Sequence, residues 1–213
     1  MLYNHIMKRI KIKICGQTNL AIIDHVLQLG IDYQGLIFYS KSPRFVDSKI
    51  LTNIRNSFNQ SQDRFVGVFV DPTFEEIISK LEIFNFGSIQ LHGNESQDFI
   101  NQCKQKFKKP IIKSIYPNNF SNTILQNIDY YLIDTKPSGK QMPGGNNSVW
   151  NWSNFNNTKR LPFILSGGLN SNNIREAIDL TGADFIDINS GVEAEPGEKT
   201  ITLIEEIISL IHK

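Results

Sequence analysis

Long apolar runs, histidines, cysteines and an excess of charge of either sign are all scarce in this sequence, and each scarcity closes off a class of protein. No apolar run approaches the roughly 18 residues of a membrane span, and the opening MLYNHIMKRIKIK lacks the apolar centre of a secretion signal. A cytoplasmic location is therefore expected. Lysine and arginine number 22 against 21 aspartates and glutamates, a formal net charge of +1. Such a balance leaves no broad electrostatic footprint for nucleic acid or an anionic membrane surface, so neither is expected as a partner. The two cysteines, Cys15 and Cys103, read as free thiols in a reducing compartment. The four histidines, His5, His25, His92 and His212, are too scattered to supply a metal-binding cluster. The glycine-rich turn of a dinucleotide-binding fold is also missing, since CGQTNL follows the first strand-like run.

What the sequence does contain is alternation. Short β-branched runs begin at IKIKIC and continue through QGLIF, FVGVFV, SIQL, PIIKSI, YYLIDT, PFILSGG and DFIDI. Amphipathic stretches such as NLAIIDHVLQLG, TFEEIISKLEIF, SQDFINQCKQKF and SNNIREAIDLTG lie between them, and TITLIEEIISLI closes the chain. Asn19, Thr73, Ser96 and Ser171 stand where helix N-caps belong. Eight strand-then-helix units with no break in composition predict an α/β fold, a (β/α)8 barrel spanning 1–213 as one domain with a short N-terminal extension at 1–9. A doubly wound open sheet is the competing architecture.

Barrels of this kind place their chemistry at the C-terminal ends of the strands, and there the residues are far from random. The first strand ends in Cys15, the second leads to Arg44, the third to Asp71 and the fourth to His92; the sixth ends at Asp134. LSGGLNS and INSGVE, carrying Gly167, Gly168, Asn189, Ser190 and Gly191, follow strands seven and eight, where barrels often hold phosphate. Glycine lets backbone N–H groups turn toward an anion with no side chain in the way. A phosphorylated small molecule is the implied ligand. Asp71 reads as a cap for the helix that Pro72 begins, and Cys103 as helix core.

Strand parity adds a prediction about the thiol. With Cys15 pointing into the barrel, Lys13 and Lys11 share its face while Ile10, Ile12 and Ile14 face the helices. When the barrel closes, the eighth strand lies beside the first, with Asp187 of the same parity as Phe185 and Asn189. Lys13 is expected to pair with an inward carboxylate, Asp187 first, and to help lower the pKa of Cys15.

KICG, FYSKSPRFV, GVFVD, QLHGNES, LIDT, LSGGLNSNNIREAI and SGVEAEPGEK, in this order, closely resemble phosphoribosylanthranilate isomerase of tryptophan biosynthesis, from about Lys11 to the C-terminus. The resemblance implies a (β/α)8 barrel, active as a monomer or homodimer, that turns N-(5-phosphoribosyl)anthranilate into 1-(2-carboxyphenylamino)-1-deoxyribulose 5-phosphate by an Amadori rearrangement without a cofactor. It implies Cys15 as general base and Asp134 as general acid, Arg44 as the holder of the anthranilate carboxylate, and Gly167, Gly168, Ser190 and Gly191 as phosphate turns. It brings in His92 and Asp187 with less settled roles. A carboxyl acting as acid and a thiol acting as base need opposite tuning by their surroundings.

The sequence departs from the family pattern in the loop after the sixth strand. Asn147 and Ser148 in PGGNNSVWNW replace a usual glycine and lysine, which implies weaker phosphate binding through Gly144, Gly145 and the nearby backbone. Asn189 replaces a common serine, a change that keeps a hydrogen-bonding side chain.

Overall fold

The computed structural model describes residues 9–120, 124–135 and 148–211. Eight parallel strands close into a barrel in chain order: β1 Lys11–Ile14, β2 Tyr33–Ile37, β3 Phe65–Phe69, β4 Ser88–Leu91, β5 Ile111–Ile115, β6 Tyr130–Ile133, β7 Phe163–Leu165 and β8 Phe185–Ile188. β8 returns to β1 with Lys13 opposite Asp187 and Ile14 opposite Ile188. The alternation of each strand divides its side chains between two environments. Cys15, Ile37, Val66, Val68, Ile112, Leu132, Ile164 and Phe185 meet in one buried interior cluster, while Ile12, Ile14, Ile133, Leu165, Ile186 and Ile188 pack outward against the helices. Each fully buried isoleucine or leucine of that outer layer contributes about 1.5–3 kcal/mol.

The helices are α1 Leu20–Gln28, α2 Ser48–Phe58, α3 Phe74–Ile83, α4 Gln97–Phe107, α5 Pro117–Phe120, α6 Ile174–Thr181 and α7 Ile201–Ile211. Their starts follow from local chemistry. Asn19 accepts from the N–H groups of Ala21 and Ile22, and Ser96 from that of Phe99. Thr73 and Glu76 form a reciprocal capping box. Two expected caps are not borne out. α6 starts at Ile174, preceded by Asn173, so Ser171 lies in the turn before it. Asp71 does not cap a helix at Pro72: it takes a left-handed backbone, φ 46°, and its Oδ1 accepts from the Asn94 N–H at 2.6 Å, tying the loop after β3 to the loop after β4.

Between β6 and β7 the described residues hold only a short 3-10 turn, Trp152–Asn154. After β8 the chain makes a 3-10 turn at Ser190–Val192 and then a small antiparallel hairpin, β9 Glu193–Glu195 and β10 Glu198–Lys199. Among the described residues, no helix is long and apolar enough to cross a membrane.

Candidate active site

The C-terminal strand ends surround a cleft of about 720 Å³ of empty space, open mouth included, whose wall contains Cys15, Arg44, His92, Asp134, Gly167, Gly168, Asp187, Asn189 and Ser190. Nine of the residues singled out from the sequence are thus brought to one place. Gly191 stands just behind the wall: a Cβ there would lie 1.9 Å from the carbonyl oxygen of Leu169, so its bare Cα lets the turns after β7 and β8 touch. Gly145, with Gly144 and Asn147, lies outside the described residues.

Cys15 is 4% exposed at the end of β1. The predicted partner is present, since Lys13 Nζ donates to Asp187 Oδ1 at 2.9 Å with both side chains buried. Burial opposes both charges. For Asp187 it dominates and leaves the carboxyl above its ordinary range, with Lys13 pulling it back; Lys13 nonetheless stays above the ordinary lysine value because Asp187 and Cys15 flank it. Lys13 acts on the thiol in the expected direction, pulling it down, but the net shift is upward. Burial pushes Cys15 above 9.0, and the adjacent Lys13 ammonium pulls it down without overcoming that penalty. The sequence shows the cation but not how completely the barrel strips water from the sulfur.

Space for the sulfur comes from β2. A Cβ on Gly35 would lie 2.7 Å from Cys15 Sγ and 3.1 Å from both Cys15 Cα and Lys13 Nζ. Gly35→Ala is expected to push β1 and the thiol out of line and to cut kcat/KM about 100-fold. Steady-state kinetics would check this, with wild-type activity ruling out the close approach.

Across the cleft Asp134 is 5% exposed. Its Oδ1 accepts from the Thr135 N–H at 2.7 Å, and its Oδ2 lies 3.4 Å from His92 Nε2. His92 is held from behind by Gln90, with Gln90 Nε2 2.9 Å from Nδ1. Gln90 is a residue the sequence reading missed. It is 1% exposed and lines the cleft, and its buried Oε1 has no hydrogen-bond partner among the described residues. Its signal was a polar residue at inward parity two positions before His92. The buried pair Lys113 and Glu95, 2.8 Å apart, was also missed. Lys113 donates to the Gly93 carbonyl and Glu95 accepts from the Gly93 N–H, so the pair brackets the residue after His92.

Gly167 and Gly168 take φ of 93° and 66°, a backbone closed to most side chains, directly after β7. The side-chain amides of Asn170 and Asn173 both bind the Gly168 carbonyl, at 3.1 and 2.9 Å, and fix this turn. The Ser148 carbonyl packs so closely that a Cβ on Gly168 would come within 2.6 Å of it. Ser148 thus adjoins the turn, while bringing none of the charge of the usual lysine. Arg44, 3% exposed, reaches the cleft from the loop after β2, where its Nε and Nη2 donate to the two carboxylate oxygens of Glu193 at 2.8 and 2.6 Å. Cys103 is buried in α4 with its thiol pushed up to about 12 by burial, in keeping with an inert core residue.

Comparison with known proteins bears on this site. The family model described as N-(5'phosphoribosyl)anthranilate (PRA) isomerase matches residues 12–209. A protein of Rhizobium etli named N-(5'-phosphoribosyl)anthranilate isomerase is 33% identical over 208 residues, 94% of this chain and 93% of its own length. Among solved structures, phosphoribosyl anthranilate isomerase from Thermotoga maritima is 27% identical, with a TM-score of 0.77 over 95% of this chain and 98% of that one. A phosphoribosyl anthranilate isomerase in complex with reduced 1-(o-carboxyphenylamino)-1-deoxyribulose 5-phosphate is 26% identical, with a TM-score of 0.73 and coverage of 95% and 98%.

Proposed function

The chain belongs to the N-(5'-phosphoribosyl)anthranilate isomerase family, and from that premise we propose that Cys15 and Asp134 are the base and acid with which it carries out the family's Amadori rearrangement. The observation that supports these roles is that a buried thiol and a buried carboxyl line the same cleft, together with an arginine and two glycine turns suited to an anion.

The substrate is an aminoaldose closed into a furanose ring. Asp134 gives its proton to the ring oxygen as the C1′–O bond breaks, leaving a Schiff base between C1′ and the anthranilate nitrogen. The Cys15 thiolate removes the proton on C2′, and the electron pair of that C–H bond forms the C1′–C2′ double bond of an enolamine. C1′ then takes up a proton as the C2′ hydroxyl loses one, which yields the amino-ketone. Hydrogens and electrons are only redistributed within the substrate, so the step consumes no co-substrate.

Lys13 sits where its charge favours the thiolate and Asp187 holds Lys13 in place. His92 abuts the acid. Arg44 suits the anthranilate carboxylate because its planar guanidinium donates parallel hydrogen bonds. The turns at Gly167, Gly168, Ser190 and Gly191, with Asn189 between them in the cleft wall, would hold the phosphate, and Gly145 is proposed to add a backbone N–H. A single-turnover assay with phosphoribosylanthranilate generated in place tests the reading. Formation of the ketose phosphate is expected, and bound but unconverted substrate would overturn it.

A further inference from the structure

Hairpin β9–β10 is unaccounted for by the acid, the base or the phosphate turns, yet it carries two of the most buried charges near the cleft. Glu193 and Lys199 face each other in the hairpin register, and both side chains are 3% exposed. Lys199 Nζ donates to Glu193 Oε1 at 2.7 Å and to the backbone and side-chain oxygens of Asn189, each at 3.1 Å. Glu193 in turn grips the Nε and Nη2 edge of Arg44. Burial alone would raise the Glu193 carboxyl, but the bonds from Arg44 and Lys199 outweigh it and hold the group below its ordinary range, so it stays charged.

The packing leaves this assembly little play. A Cβ on Gly16, next to the thiol, would come within 2.7 Å of Arg44 Cδ and 2.8 Å of Asn189 Oδ1. At the other end, a Cβ on Gly197 in the hairpin turn would lie 3.0 Å from the carbonyl of Pro43, the residue before Arg44. The hairpin is thus seated on the loop that carries the arginine.

We propose that Glu193, locked by Lys199, is a positioning residue that presets the plane of the Arg44 guanidinium for an aryl carboxylate and so makes the enzyme selective for a carboxylate-bearing substrate. The proposal rests on Arg44 as the carboxylate holder. An arginine side chain loses much rotamer freedom when it binds, and fixing it during folding removes that cost from the binding step. The opposite arrangement, in which the substrate carboxylate displaces Glu193 from the arginine, predicts the opposite sign and is separable by experiment.

The test measures binding of two product analogues, reduced 1-(o-carboxyphenylamino)-1-deoxyribulose 5-phosphate and its phenylamino counterpart without the carboxylate. Glu193→Gln is expected to weaken the carboxylated analogue about tenfold, to leave the other within about twofold, and to raise KM while kcat stays within about threefold. Lys199→Met is expected to give the same pattern with smaller size, and Glu193→Asp, which keeps the charge, to recover part of the loss. Thermal unfolding identifies any variant that fails to fold, in which case Glu193→Asp and Lys199→Met carry the comparison. Equal loss for both analogues, no loss for either, or tighter binding of the carboxylated one overturns the proposal. Arg44→Lys separates the premise: if it leaves the preference for the carboxylated analogue unchanged, Arg44 is not the carboxylate holder and the proposal falls with it. If Arg44→Lys abolishes the preference while Glu193→Gln does not, only the positioning role falls.

Discussion

Cys15→Ser and Asp134→Asn are each expected to lower kcat by about 10²–10⁴-fold while leaving a product analogue bound within about threefold of wild type. Serine keeps the shape of the side chain but is a far weaker acid than a thiol, so no useful fraction of alkoxide exists to take the C2′ proton. Asparagine keeps the shape of Asp134 and an oxygen to accept from the Thr135 N–H, but its other terminal atom is an amide nitrogen with no acidic proton for the ring oxygen. Because the two groups serve successive steps, the double variant should lose far less than the product of the single losses once one step is blocked. Rapid-mixing kinetics with a binding titration would check both, and either single variant keeping wild-type kcat would remove that residue from the mechanism.

Lys13→Met carries the largest expected effect on stability, about 3 kcal/mol, at the lower end of the range for breaking a buried ion pair. Nothing replaces the ammonium that satisfies Asp187 at 2.9 Å inside the barrel. The carboxyl, already raised by burial, can take up a proton, which limits the loss. The Lys13 pKa is raised above 10.5, so its stabilisation is present across the neutral range and disappears only as pH climbs beyond that value. Denaturant unfolding at neutral pH would measure the loss, and an unchanged midpoint would refute the pair's contribution.

The same variant alters the pH profile. In the wild type burial holds the Cys15 thiol above its ordinary range, so kcat/KM is expected to go on rising with pH through that range. Lys13 favours the thiolate, so its removal should move the rising limb to still higher pH. A limb that stays put would show that the lysine acts only in packing.

Alternating sequence period carried most of the fold. β4 lies at Ser88–Leu91 as its run predicts, and the other strand boundaries differ mostly by a residue or two. The widest difference is at β7, which ends at Leu165, because Ser166 and the two glycines belong to the turn. Parity on β1 and β8, with barrel closure, was enough to pair Lys13 with Asp187 across 174 positions of sequence. Cys15, His92 and Asp134 stood out because each follows directly on a strand, where one residue type interrupts a regular pattern, whereas Arg44, in the loop beyond β2, stood out only through the family resemblance of its motif.

Other features depend on what lies beside a residue in space, which period and spacing do not encode. The thiol's direction of shift came from competition between burial, with Asp187 on its side, and the ammoniums of Lys13 and Lys199, and only the closed barrel says that burial wins. Glu193 and Lys199 are two charges among many in SGVEAEPGEK, and the Pro-Gly turn signals a hairpin without saying where it docks. Sequence by itself determined the alternation of strands and helices and the residues that follow each strand, because strand period and turn chemistry are local. The chemistry expected of those residues came from the resemblance of their motifs to a known family. Tertiary structure alone decided which charges lose their water and which partners they meet, because desolvation and hydrogen bonding arise only when distant segments pack.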